Sequence, residues 1–237
     1  MTTDLTIYRF PEIKIHHLLY DELGKEALDK LNSTFKGTPL VYSPNQVPEA
    51  GQPIRHSNIR TLFLDQVVRE LTNSRISVPN PEQILANWNN IQERDTTYAD
   101  SSLVIYPNVG PAETHRQRAL EIAGFSNTTT PITISGLTIK PSDNKYGFTL
   151  EPTDYTSHKE APWLKKTQRV AYNPETEEIE PSKDGVMVYV PEEQSGLRRL
   201  FRNWDELSAR NGRLLDANEF GRVQVVQDPQ DSRADLD

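Results

Sequence analysis

The spacing of apolar residues changes near residue 100, and this change limits the folds open to the chain more than any other feature. Between Asp21 and about Phe35, Leu23, Ala27, Leu28 and Leu31 fall at helical spacing, and Gly37 supplies a stop. Ser57 is placed to cap a second helix with Ile59, Leu62, Val67, Val68 and Leu71 on its apolar side. Pro81 suits the first turn of a third helix, running to about Gln92 with Ile84, Leu85, Trp88 and Ile91 inward. Ahead of these, Leu5, Ile7, Tyr8, Ile13 and Ile15 read as short strands, and 38–56 as a long loop. Beyond residue 100, SLVIYP reads as a strand and PAETHRQRALEIAGF as a helix ending at Gly124. The β-like runs PITISGLTIKP, KYGFTLEP, QRVAYN, DGVMVYVP and GRVQVV follow. The fold class is α+β, with a helix-rich N-terminal part at 1–100, a strand-rich part at 101–228 and an acidic tail at 229–237. The pattern leaves open whether these parts are one domain or two.

Composition removes several classes of chemistry. The chain has no cysteine, which excludes disulfide scaffolds, thiolate zinc sites and thiol nucleophiles. A formal charge of −8 argues against nucleic acid as a partner held by the whole surface. No signal-peptide pattern and no apolar stretch of membrane-spanning length stands out, so no membrane insertion is expected. Display on a cell or virus surface would need another route. The histidines, His16, His17, His56, His115 and His158, form no metal-binding spacing. Glu151 and Asp154 in LEPTDYTSHKE could pair as carboxylates, but Thr153 stands where a calcium-type Glu-Pro-Asn signature needs Asn, and a solvated loop is the better reading. Asn32 and Asn127 stand in N-x-S/T triplets, which are common by chance. No catalytic residue, metal or cofactor is assigned.

The stretch SGLRRLFRNWDELSARNGRLLDANEFGRVQVV, 195–226, is different in kind. Leu197, Leu200, Trp204, Leu207, Asn211 and Leu214 recur at spacings of three and four, which predicts an amphipathic helix over 197–210. Asn211-Gly212 would break that helix. Between 195 and 222 the cations are all arginine, mixed with Trp, Phe and Asn, the side chains of adaptable contact surfaces.

The frame SG-L-x-R-L-x-R-x-W…L…A…L-x-x-A-x-x-x-GRVxVV resembles the C-terminal region of the variable proteins of diversity-generating retroelements, of the archaeal type. The resemblance covers about thirty residues. It implies a C-type lectin-like fold in the C-terminal half and a region, 195–226, rewritten by mutagenic reverse transcription at adenines. By that resemblance Gly196, Leu197, Arg199, Leu200, Leu207, Leu214, Gly221, Arg222, Val223, Val225 and Val226 are fixed scaffold. The hypervariable, ligand-binding positions would be Phe201, Arg202, Asn203, Trp204, Asp205, Glu206, Ser208, Arg210, Asn211, Gly212, Arg213, Asn218, Glu219 and Phe220. GRVQVV would be the closing strand. The implied partner is a macromolecular or cell-surface ligand bound without chemistry.

Two rivals make different structural demands. An enzyme with a non-contiguous site in the C-terminal half needs a deep pocket lined by perturbed carboxylates or by His115 and His158. An assembly protein using 197–210 as a docking helix needs Leu200, Trp204 and Leu207 on one buried face. The binding-protein reading needs Trp204 and its neighbours exposed together while Leu200 and Leu207 are buried.

Overall fold

A computed structural model describes residues 13–91 and 98–227. The expected strand at Leu5, Ile7 and Tyr8, the end of the third helix at Gln92 and the acidic tail at 229–237 lie outside the described residues. In chain order the elements are β1 (Ile15–His17), α1 (Glu22–Thr34), α2 (Arg60–Leu71), β2 (Ile76–Ser77), α3 (Pro81–Ala86), β3 (Tyr98–Ile105), α4 (Glu113–Ile122), β4 (Ile132–Pro141), β5 (Phe148–Glu160), β6 (Gln168–Asn173), β7 (Glu178–Pro181), β8 (Val186–Tyr189), β9 (Leu197–Asn203), β10 (Glu206–Ser208) and β11 (Gln224–Gln227).

The helices form for local reasons. Asp21 caps α1 by accepting from the Gly24 amide at 3.1 Å, and Ala27, Leu28 and Leu31 turn inward. In α3, Asn80 and Gln83 bond reciprocally in a capping box, with Pro81 in the first turn. This helix is shorter than its apolar pattern predicts. Asn87 caps its end and Trp88–Asn90 tightens into a 3-10 turn. Ser57 does not cap α2, which starts without a side-chain cap. The Ser57 hydroxyl instead donates to Asp100 Oδ2 at 2.7 Å, on β3.

The molecule is mixed α+β, dominated by a large sheet. Eight strands run in the order β5-β4-β3-β9-β10-β8-β6-β7, and a second sheet has the order β1-β11-β2. β1 pairs antiparallel with β11, Ile15 opposite Val226, which joins residues far apart in sequence. GRVQVV does supply a strand near the described C-terminal end, and Val223, Val225 and Val226 are all buried. The first hundred residues are not a helical unit by themselves. They also supply β1, β2 and the start of β3, and their helices share a core with the large sheet. That core joins Leu28, Leu31 and Val67 to Leu103, Ile134, Leu197 and Val225. A second cluster gathers Ile84, Val104, Val188, Leu200 and Leu207.

The helix predicted over 197–210 is absent. That stretch is a β-hairpin, β9–β10, and β9 lies in the interior of the large sheet between β3 and β10. The leucines at three- and four-residue spacing point into cores on either side of a covered sheet. Leu197 enters the first cluster, and Leu200 and Leu207 the second. A strand buried on both faces loses the two-residue alternation that would reveal it. No described helix is long and apolar enough to cross a membrane.

Candidate ligand-binding face

The hairpin sets out its residues by register. Asn203 faces Glu206, Arg202 faces Leu207 and Phe201 faces Ser208, leaving Trp204 and Asp205 as the connecting residues at the tip. Trp204 has φ 52°, in the left-handed region. Glycine occupies such a position without penalty, whereas a bulky side chain there is an outlier held by its surroundings. Those surroundings include Arg202, whose Nη1 donates to the Trp204 carbonyl at 2.8 Å, and Asn203, whose Nδ2 donates to Glu206 Oε1 at 3.2 Å. The indole itself is 59% exposed.

After β10 the chain runs irregularly to Gly221, anchored at Leu214. The Ile59 amide donates to the Leu214 carbonyl at 3.2 Å, and Asn58 Nδ2 to the Leu215 carbonyl at 3.0 Å. Two asparagines shape this loop. Asn211 Oδ1 accepts from the Arg213 amide at 2.8 Å, and Asn218 Oδ1 from the Phe220 amide at 2.9 Å, each an Asx turn. Tyr98 brings the loop to the hairpin tip. It pairs with Asn203 in β9, meets the Phe201 ring edge-on at 6.0 Å and accepts the Asn218 amide on its hydroxyl at 2.8 Å. Burial raises the Tyr98 phenol above its ordinary range, so it stays neutral. A side chain at Gly221 would bring Cβ to 2.6 Å from Tyr98 Cζ, so this close approach needs glycine.

Beneath the face lies a buried ion pair. Arg199 Nη1 donates to Asp100 Oδ1 at 2.8 Å and to Oδ2 at 3.0 Å, while Ser57 holds Asp100 through both its hydroxyl and the Asp100 amide. Burial pushes the Asp100 carboxyl up and Arg199 pulls it back. The pair ties β9, β3 and the start of α2 together.

The fourteen residues named by resemblance divide into three groups. Trp204, Asp205, Arg210, Arg213, Asn218, Glu219 and Phe220 are exposed. Phe201, Asn203, Glu206, Asn211 and Gly212 are half-buried. Arg202 and Ser208 are buried, and the expectation that they point outward is corrected. Arg202 is 0% exposed because it faces the second core beside Leu207 and also donates to Gln224 Oε1 of β11 at 3.3 Å. Ser208 is covered in the pairing of β10 with β8 and β9. Gly212 is constrained too, since a Cβ there would lie 2.9 Å from Pro111 Cβ. Of the scaffold residues, Leu197, Arg199, Leu200, Leu207, Leu214, Val223, Val225 and Val226 are all buried.

The docking-helix rival required Leu200, Trp204 and Leu207 on one buried face. Leu200 and Leu207 are buried, and Trp204 is not. The histidines of the enzyme rival lie apart from each other's surroundings. His115 is buried between Tyr146 and Phe148, its Nε2 3.1 Å from the Phe148 carbonyl, and burial lowers its pKa. His158 meets Phe125 edge-on at 5.5 Å. Glu151 is engaged by Arg118 at 3.3 Å. Among the described residues no three His, Asp or Glu side chains gather in a group able to hold a metal ion.

Sequence reasoning passed over a polar cleft of about 390 Å³ elsewhere in the molecule. α2 contributes Asp65 and Arg69, the following segment Ser74, Arg75 and Ser77, and the strands Ser101, Ser135, Tyr155 and Ser157. Burial raises the Asp65 carboxyl above the usual range against the pull of Arg69. Only the Asp65/Arg69 spacing, four residues apart on one helix, hinted at it in the sequence. Comparison of the chain with protein-family models, with curated proteins and with solved structures gives no match.

Proposed function

We propose that this protein is a non-enzymatic binding protein with a C-type lectin-like architecture, whose ligand-contact face is the β9–β10 tip and the 209–220 loop. One observation carries the reading. Within a single stretch Leu200 and Leu207 are fully buried, while Trp204 and Phe220 stand in water at 59% and 56% exposure, Phe220 two residues before Arg222. Exposed aromatics with planar cations are the anchors of protein interfaces. Placing a tryptophan at a left-handed tip position costs stability that folding does not need, so its exposure serves contact. The pairing of β1 with β11, which closes the chain near both described ends, is in keeping with a lectin-like fold. The ligand class is a macromolecular or cell-surface partner.

The resemblance adds that the face is diversified by a retroelement, and the geometry sharpens this. Substitution belongs at Trp204, Asp205, Arg210, Arg213, Asn218, Glu219 and Phe220, and not at Arg202, Ser208 or Gly212. Sequencing the coding region of 195–226 in many isolates, together with its flanking DNA, tests this. A reverse-transcriptase gene beside a near-copy of the segment differing at adenines, with changes concentrated at the exposed positions, is the expected result. Changes spread equally over Leu200, Leu207 and Arg202 would sink the assignment.

A further inference from the structure

We propose that the cleft between α2, the 74–78 segment and the splayed strands β3 and β4 binds an acidic monosaccharide unit, with its carboxylate on Arg69 and Arg75 and its hydroxyls on the serine floor. The cleft arises from the sheet itself. β3 pairs with β4 only from Leu103–Ile134 to Ile105–Ile132. Beyond that point both strands carry irregularities, at Asp100/Ser102 in the pairing with β9 and at Ser135/Leu137 in the pairing with β5. Such bulges re-aim side chains and open sheets beside functional sites. The second is built in, because a Cβ on Gly136 would come within 2.5 Å of the Tyr155 carbonyl, and Thr156 donates to the Gly136 carbonyl at 2.8 Å.

The two guanidinium groups are held in place and their terminal nitrogens left over. Arg69 Nε donates to Asp65 Oδ1 at 3.1 Å and its guanidinium lies 4.1 Å over the Tyr155 ring. Arg75 Nε donates to the Thr72 carbonyl at 3.0 Å. No terminal nitrogen of either has a hydrogen-bond partner among the described residues. Asp65 does not compete for them, since it accepts Arg69 Nε and, at 2.6 Å, the Val78 amide. Two fixed guanidinium forks suit a carboxylate. Ser101 gives its hydroxyl proton to the Leu200 carbonyl at 3.2 Å and Ser135 shares one with Ser102 at 2.8 Å, which leaves oxygens able to accept from a sugar hydroxyl, while Ser157 is exposed on β5. A volume of about 390 Å³ sits near the lower end of ligand pockets, enough for one ring.

Calorimetric titration of the full chain with D-glucuronate tests the proposal, with D-glucose and inorganic phosphate titrated in parallel. Glucuronate should bind with a Kd on the order of 1 mM, as suits a single small polar ligand, and both comparators about tenfold more weakly. Arg75→Ala, at an exposed residue, should weaken glucuronate about tenfold with an unchanged melting temperature. Trp204→Ala should leave it unaffected, which separates this site from the aromatic face. Absence of glucuronate binding at tens of millimolar overturns the proposal, as does an Arg75→Ala variant that binds like the parent. Phosphate binding as tightly as glucuronate would reduce the site to an anion hole, and glucose binding equally would remove the guanidinium groups from it; either outcome overturns the proposal.

Discussion

The hairpin at 197–208 and the loop at 209–220 are neighbours in sequence, yet they bear substitution on different terms. The hairpin is in the interior of an eight-stranded sheet with a core on each side, so nearly every side chain in it is committed. Only the tip, Trp204 and Asp205, reaches fully into solvent. The loop is tied at Asn211, Leu214 and Gly221 and exposes Arg210 and Arg213 on either side of the first tie, and Asn218, Glu219 and Phe220 between the last two. Arginine shows the contrast best. Arg199 and Arg202 of the hairpin are buried and bonded to fixed partners, Asp100 for the first and Trp204 and Gln224 for the second, while Arg213 is exposed on the loop, its ion pair with Asp216 stretched to 4.0 Å. Which side chains reach solvent is therefore set by which backbone neighbours are pinned, and residue type alone does not decide it.

That contrast can be broken by graded substitutions, measured by denaturant unfolding. The largest effect is expected for Arg199→Ala, which leaves Asp100 buried without its cation and should cost about 3–5 kcal/mol. A loss below about 1 kcal/mol would mean that the pair does not hold the hairpin. Arg202→Ala comes next, at about 1.5–3 kcal/mol, because the Trp204 carbonyl and Gln224 lose a charged donor. If it proved as harmless as a loop substitution, Arg202 would rejoin the positions proposed to vary. Trp204→Gly should change stability by no more than about 1 kcal/mol, with relief of the left-handed strain offsetting the freer unfolded chain. The same change should abolish ligand capture by the face. Arg213→Ser should be the mildest, within about 0.5 kcal/mol. A larger cost there would show that the loop is structural and would erase the distinction between the two regions.

How much of this could be read in advance depended on how local the cause was. α1 follows from apolar spacing behind the Asp21 cap, α4 lies within the run PAETHRQRALEIAGF, and each β-like run after residue 130 became a strand at or near its place. The helix predicted over 197–210 failed because the leucine spacing is equally that of a strand packed on both faces, with a bulge in the partner strand shifting register at Asp100/Ser102. Long-range pairing of β9 with β3 leaves no local mark. Ser57 read as a helix cap because nothing near it names Asp100, forty-three residues on, as its partner. On the face, the aromatic tip stood out by composition, but arginine looks the same in sequence whether it is buried or wet. The cleft was illegible, since its lining comes from α2, 74–78, β3, β4 and β5 and converges only once the sheet has formed.

The seam in which β11 lies between β1 and β2 has a consequence for synthesis. Residues 15–17 must wait for 224–227 before they find their strand partner, so the small sheet closes only once β11 has left the ribosome. Any premature stop or frameshift inside 198–220 deletes that strand and leaves β1 and β2 without the strand that lies between them. A truncated chain would thus lose the burial of Ile15, Val225 and Val226 along that seam.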